Sequence, residues 1–487
     1  MRNTFVQALT QPQVSPRPIT ARTLNGMRAR ATTSSAALDL FGSIGASRGK
    51  NIIPAFEAAF AENQDLALRI AQWARDVRGG AGERQLYRDI LLHIEKVNPQ
   101  LLVDSRLLDN VAELGRFDDL LIFTNPEVKR KAYNIIARAL IAGNGLAAKW
   151  MPRKGPIAIE FRNALEVSPK VYRKFLVNLT KVVETQMCDK NWNEINFSHV
   201  PSVAMTRYMK AFYRNAPEQF EAYKAALARN DGTAKVNASA VYPYDVVKML
   251  GGAQDLSYGY RFYGREPYEF NQVAQSMWDS LPDYMNDKSV LAVVDNSGSM
   301  QSQIKGSQVT CLDVAASLGM YTAQKSKGAF KDLSISFSSN AKFIQHSGTI
   351  DQRLTQVCSA EWNSTNLHSV FDLILNHALR NRVPAADMPE MLVILSDMQF
   401  NQCVKHDDSA LQMIRRKFED AGYEMPQVVF WNLNDYGNKP VKFNDSGVAL
   451  VSGFSPALME SLLSADLEGF TPESVMLKVV GKDRYSW

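Results

Sequence analysis

Residues 290–303 read VLAVVDNSGSMQSQ: an apolar pentad, then an aspartate, then a run of small hydroxyl residues. Five consecutive apolar residues bounded by turn formers describe a strand buried on both faces, as in a parallel sheet covered by helices. The strand ends on Asp295, with Ser297 and Ser299 following at alternate positions. Two serines with no histidine beside them make a poor nucleophile site. Three oxygen donors within five residues instead suit a hard divalent cation.

Outward from that stretch, the texture after Ser289 stays the same to the C-terminus. Short β-rich runs (VLAVVD, LSISFSS, AKFIQH, MLVILSD, QVVFWNLN, GVALVSGF) alternate with amphipathic stretches at 308–327, 367–381, 406–422 and 455–465. Such alternation predicts an α/β doubly wound, Rossmann-like sheet over residues 286–487. The close pair LSISFSSNAKFIQH reads as a hairpin that adds one antiparallel edge strand.

Open sheets of this kind bind ligands at the carboxyl ends of strands, where the strand order reverses. Three segments are predicted to meet there: Asp295, Ser297 and Ser299; Thr365 in WNSTNLHSVFDLIL, just before a helix; and Asp397 after MLVILS. Three neutral hydroxyls and two carboxylates suit Mg2+ or another divalent cation. Neutral donors leave the ion electrophilic, open to a carboxylate or phosphate from a partner. D-x-S-x-S alone is also what a polar turn looks like; three segments, each at the end of the right element, carry the metal reading. A metal-dependent nuclease or phosphatase is the less favoured reading. No histidine is placed as a base, since His368 and His377 fall on a predicted helix, and no catalytic residue is assigned.

The first half differs. A chain of 487 residues exceeds what one hydrophobic core supports, so at least two domains are expected. Residues 1–50, with seven Lys and Arg against one acid, read as a basic, partly disordered arm with a short ordered piece around SAALDLFGSIG. Residues 51–285 read as successive helices: one from Pro54 to the glycine pair at 79–80, one from Gly82 or Glu83, then about 100–114, 126–142, 169–188, 201–214 and 217–229. Few strand-like runs interrupt them, which points to a HEAT-like α-helical array.

Charge divides the same way. Residues 1–285 hold 37 Lys and Arg against 28 Asp and Glu, a net of +9, whereas residues 286–487 hold 18 against 22, a net of −4. The basic half is the candidate polyanion binder. Within it, Lys149, Arg153, Lys154, Arg162, Lys170, Arg173 and Lys174 crowd a segment whose acids are Glu160 and Glu166, with Trp150, Phe161 and Tyr172 interleaved. Cations suit phosphates and aromatic faces suit unstacked bases, so this is the predicted RNA contact. The bland alternative is a solvated charged face over core aromatics. A second basic set, Arg69, Arg75, Arg78, Arg84 and Arg88, surrounds RGGAGER, from which Arg78 and Arg84 are added to the RNA-contact set. That glycine-rich turn follows a helix and lacks the Lys-Ser/Thr of a phosphate loop, so it reads as a helix-to-helix turn. Four cysteines without C-x-x-C spacing, no membrane-length apolar run and no signal-peptide core predict a cytoplasmic protein with free thiols.

Asp295-x-Ser297-x-Ser299, Thr365 and Asp397 together resemble the metal-ion-dependent adhesion site of von Willebrand factor type A domains, in which the serines and threonine bind magnesium directly and the aspartates often through water. One departure is Met398, where that family usually has glycine. The blocks ARDVRGGAGERQLYRDIL, NVAELGRFDDLLIF, LAAKWMPRK, VPSVAMTRYMKAF, ILSDMQFNQ, VVFWNLN and GVALVSGFS resemble, over about residues 23–466, a family found in cellular organisms and large viruses that couples a helical module to a type A domain. More distantly, the chain is similar to the Ro (TROVE) ribonucleoproteins. The resemblance implies a noncatalytic RNA-binding ribonucleoprotein component taking small noncoding or misfolded RNA. The alternative is a metal-dependent protein assembly or adhesion module, in which a protein partner offers a carboxylate to the metal.

Overall fold

In a computed structural model, residues 20–229, 231–236, 241–253, 268, 270–285, 289–305, 307–337, 340–360, 365–401, 410–463 and 469–487 are described. The chain has a helical N-terminal part and a C-terminal domain built on a mixed sheet.

A hairpin comes first, β1 (Thr20–Arg22) paired antiparallel with β2 (Arg28–Arg30). The main sheet follows: β3 (Val290–Asp295), β4 (Leu333–Phe337), β5 (Lys342–Gln345), β6 (Met391–Ser396), β7 (Gln427–Asn432) and β8 (Val448–Ser452). All six β-rich runs of the sequence are strands. Their spatial order is β5-β4-β3-β6-β7-β8, parallel except for the edge pair β4–β5, as the hairpin reading required. The order runs outward in both directions from β3 and β6, so the switch point lies between them. Asp295 and Asp397 stand at their carboxyl ends.

Helices cover both faces. Leu291, Val293, Leu392, Ile394 and Phe430 share one apolar cluster with the helices Leu367–Asn381 and Ala410–Asp420. On the other face, Ala292, Val294, Val393, Leu395 and Trp431 belong to a cluster that runs on without interruption into the helical part. The bridging element is the helix Cys311–Lys325, buried at every residue from Cys311 to Ala323. Its inner side lies so close to β3 that a Cβ on Gly319 would sit 2.3 Å from Val294 Cγ2. From its outer side, Tyr321 donates its hydroxyl to the carbonyl of Pro282 at 2.7 Å.

The helical part packs neighbour on neighbour, and its helices are shorter than the apolar pattern suggested. The first predicted helix is two, Ile53–Glu62 and Gln64–Arg75, divided at Asn63, whose extended backbone lets its side chain cap the second by accepting from Leu66 N. The pattern at 100–114 divides at Ser105 and that at 169–188 at Thr180–Val182. Gly145–Trp150 and Pro156–Ala164 are helices that the sequence reading did not include.

Both ends of the described chain tie the halves together. Residues 20–50, read as part of a basic arm, form the β1–β2 hairpin and the helix Ala36–Ile44. That helix reaches β8: Ser452 Oγ donates to the carbonyl of Phe41 at 2.7 Å and accepts from Gly45 N at 3.0 Å. Its Phe41 ring lies 4.6 Å from that of Trp73 in the helical part. At the other end, Gln72 Nε2 donates to the carbonyl of Tyr485 at 2.6 Å, and the Tyr485 hydroxyl donates to Asp76 at 2.9 Å. Residues 1–19, within the predicted arm, lie outside the described residues.

Candidate metal centre and basic face

Asp295, the last residue of β3, is fully buried. Its Oδ1 accepts the backbone N–H of Ser297 at 2.9 Å, which turns the chain sharply after the strand. Its Oδ2 accepts the hydroxyl of Ser396, the last residue of β6, at 2.5 Å. The turn brings the hydroxyls of Ser297 and Ser299 to 3.1 Å from each other. Thr365 precedes the helix Leu367–Asn381; its hydroxyl donates to the carbonyl of Gln399 at 2.6 Å, and Asn401 N returns a bond to the Thr365 carbonyl at 2.8 Å. Thr365 is thereby fastened to the segment that leaves Asp397.

The electrostatics are those of an unbalanced anionic site. Burial, then the charge of Asp397, pushes the carboxyl of Asp295 up to about 7. Asp397 is raised for the same first cause, with the hydroxyl of Ser299 and the N–H of Gln399 opposing the rise. Asp397 Oδ1 accepts Gln399 N at 3.2 Å, but the buried Oδ2 has no donor among the described residues, nor has the buried Oδ1 of Asn296. The orphaned buried oxygen of Asp397, with the second buried carboxylate of Asp295 and the hydroxyls of Ser297 and Ser299 close by, fits a hard divalent cation, with Asp295, Ser297, Ser299, Thr365 and Asp397 as the residues that would hold it. A bound cation would supply a positive centre for an anionic group.

Met398 stands where a glycine was expected, and it adopts the left-handed backbone a glycine would favour, with φ 63°. Its side chain is 2% exposed and packs in the apolar cluster under β6, which offsets the strain.

Several residues around this site escaped the sequence reading. Asn25, in the loop of the β1–β2 hairpin, donates through Nδ2 to the carbonyl of Gln399 at 2.5 Å and to Thr365 Oγ1 at 3.3 Å. Lys50 donates to Asn434 Oδ1 at 2.8 Å, and its charge lowers the pKa of Asp397. Cys311 lies near enough that burial and the two aspartates push its thiol up to about 12. Asn25 and Lys50 come from the far end of the chain, and no local motif marks them.

The predicted RNA-contact residues divide into three groups. Lys154, Lys170, Arg173 and Lys174 are exposed, Arg162 is half-buried, and none of the five has an acid partner among the described residues. Arg153 is exposed and donates to Thr180 Oγ1 at 3.1 Å. Lys149 is half-buried and 3.5 Å from Glu184. Phe161 and Tyr172 are core residues, packed edge-on 6.2 Å apart, and Tyr172 spends its hydroxyl on the carbonyl of Pro152. They offer no face to a base. Trp150 is half-buried, with the guanidinium of Arg116 3.3 Å from its ring centre.

Of the second basic set, Arg75 is buried in an ion pair with Asp119 at 2.7 Å, Arg88 pairs with Asp119 at 2.6 Å and Arg69 with Asp65 at 2.8 Å. Arg78 and Arg84 are exposed. Arg84 is held below its usual pKa by burial first and then by Arg116 and Arg88. Arg116 thus links Arg84 to Trp150 and Lys149, joining what the sequence offered as two sets. In RGGAGER the N–H groups of Ala81, Gly82 and Glu83 donate to the carbonyls of Trp73, Asp76 and Ala74. A Cβ on Gly80 would lie 1.8 Å from the carbonyl oxygen of Trp73. The turn spends these N–H groups on the helix before it and joins Gln64–Arg75 to Arg84–Val97, with none of the three left for a phosphate.

Fold and site define a two-part protein: a basic helical part joined to an α/β domain with a cluster of carboxylates and hydroxyls at its switch point. Among the described residues, no helix is long and apolar enough to cross a membrane. Two family models match the chain, "Domain of unknown function (DUF2828)" over residues 134–291 and "Domain of unknown function (DUF7788)" over residues 289–483. The two stretches meet at the start of β3. "Uncharacterized protein L728" of Acanthamoeba polyphaga mimivirus is 29% identical over 520 residues, covering 94% of this chain and 86% of that protein. The crystal structure of the Deinococcus radiodurans RO (RSR) protein overlays 88% of this chain and 90% of its own, with a TM-score of 0.35 and 16% identity.

Proposed function

We propose that the protein is a noncatalytic RNA-binding component of a ribonucleoprotein, similar to the Ro (TROVE) proteins. A HEAT-like helical part contacts small noncoding or misfolded RNA, and a von Willebrand type A domain holds magnesium at a metal-ion-dependent adhesion site. The observation that carries the reading is the run of exposed cations without an acid partner among the described residues, Lys170, Arg173 and Lys174 on the helix Pro169–Leu179 and Lys154 before it, on the half of the chain with a net charge of +9. The α/β half, at −4, lacks that surplus. The buried Asp397 Oδ2 without a donor supports the metal part and also favours the second reading, capture of a partner's carboxylate by the metal.

Purified protein carrying its bound partners separates the two. Treatment with ribonuclease or with a chelator, followed by sequencing of retained RNA and mass analysis of retained protein, is the experiment. RNA that survives chelation supports the proposal. Protein complexes that survive ribonuclease and dissolve with chelator would sink it in favour of metal-dependent assembly.

A further inference from the structure

The helix Pro169–Leu179 ends at a pocket of about 700 Å³, closed by the helix Val183–Cys188 and the segment 194–201. Val177, Val182, Val183 and Val200 give it apolar walls, and Lys149, Lys181 and Glu194 line it too. Such a volume has room for a nucleotide-sized group. Its most telling member is Glu184. One carboxylate oxygen accepts the hydroxyl of Tyr208 at 3.3 Å and faces Lys149 Nζ at 3.5 Å. The other, Oε2, is buried and has no donor among the described residues. A carboxylate oxygen buried without a donor is costly, and a small rotation of this half-exposed side chain would turn it to an N–H of a ligand in the pocket.

We propose that this pocket takes one unpaired guanine base of an RNA strand whose phosphates run along the helix Pro169–Leu179. This deepens the RNA reading above and rests on it. Among the four RNA bases, guanine alone sets two N–H donors side by side on its Watson–Crick edge, which a single carboxylate accepts together. Adenine and cytosine present one amino group beside an acceptor that would face Glu184 unfavourably, and uracil presents one N–H between two carbonyls. Lys170, Arg173 and Lys174 are exposed on the helix whose last turn brings Val177 and Asn178 to the pocket. From Lys174 to Asn178 is about one helical turn, about 5.4 Å. A strand neutralised by those cations therefore delivers its next base to the pocket mouth. An arginine side chain of a protein partner could also meet Glu184 or Glu194 in this lining, but it would approach past the exposed Lys170, Arg173 and Lys174, and like charges oppose it.

The test uses the full-length protein and fluorescent RNA hexamers of uridine with one internal position set to G, A, C or U, at fixed salt. The G hexamer is expected to bind about tenfold tighter than the other three, the discrimination of one two-point hydrogen-bonded pair. Glu184→Gln should erase that preference while leaving affinity for the U hexamer in place. Asn178→Trp, an exposed position at the pocket mouth, should erase it as well, so the outcome does not hang on one variant's folding. Equal binding of all four hexamers, or a G preference that survives both substitutions, overturns the pocket assignment and leaves RNA binding standing. Failure of every hexamer and of longer structured RNA overturns both. Displacement of the G hexamer by an arginine-rich peptide, but not by guanosine monophosphate, assigns the pocket to a protein partner instead.

Discussion

Asp295→Asn is a substitution at the heart of the proposed metal site that should stabilise the metal-free protein. With its pKa pushed from 3.8 to about 7, chiefly by burial and then by Asp397, Asp295 ionises in the folded chain at a cost absent from the unfolded one. The difference corresponds to at most about 4 kcal/mol above pH 7, lowered by relaxation around the pair. The sign follows from proton counting. Between pH 3.8 and about 7 the folded chain holds more protons than the unfolded chain, so metal-free stability falls as pH rises through that window. Asparagine has the same shape and can keep the bond from Ser297 N, but it carries no charge. In chelator at pH 7.5 the variant should therefore melt a few degrees above the parent, at about 2 °C per kcal/mol for a unit of this size, and the gap should narrow toward pH 4. Magnesium should close most of that gap, adding about 2.7 kcal/mol to the parent at one hundred times its Kd and nothing to the variant. Scanning calorimetry across pH, with and without magnesium, reads all of this. A gap that ignores pH, or a variant less stable than the parent in chelator at pH 7.5, would refute the reasoning.

Other substitutions probe the frame. Gly319→Ala should cost about 1–3 kcal/mol by overpacking against Val294 Cγ2, seen as a lower denaturant midpoint with an unchanged slope; a neutral result would mean that the bridging helix can move off β3. Asp119→Ala should cost about 3–5 kcal/mol, because it strands the buried guanidinium of Arg75 and leaves Arg88 only its pair with Asp118. Equilibrium unfolding measures it, and a loss below 1 kcal/mol would show that the pair is not desolvated.

Much of the α/β half was legible in sequence because its central strands β3 and β6 are short apolar runs; the helix predicted at 367–381 spans Leu367–Asn381 in the structure, whereas the helices Ile350–Cys358 and Pro472–Val480 were not in the reading. The site was legible because Asp295, Ser297 and Ser299 are local, and Thr365 and Asp397 each sit at an element's end. Asn25 and Lys50 were not legible, because their partners lie 340 to 384 residues away and only the folded chain brings them near. The helical half gave its helices but not their ends. The apolar stripe runs on through Asn63, Ser105 and Thr180, and it is capping and extended backbone there, not hydrophobicity, that divides the helices. Phe161 and Tyr172 were misread as candidate stacking faces because alternation with cations looks the same whether an aromatic ring points inward or outward. Their helical positions settle the matter once Ala158 and Leu176 are seen buried with them.

The central claim is that the exposed cations of the helical half bind RNA phosphates. Its most direct test is a binding titration of parent and the Lys170→Ala, Arg173→Ala, Lys174→Ala triple variant against structured RNA with a single-stranded tail, across salt concentrations. The account predicts affinity that falls steeply with salt for the parent, a slope lower by about two to three in the variant, and unchanged melting of the protein. Parent affinity that does not depend on salt, or a variant that binds with the parent's affinity and slope, would contradict it.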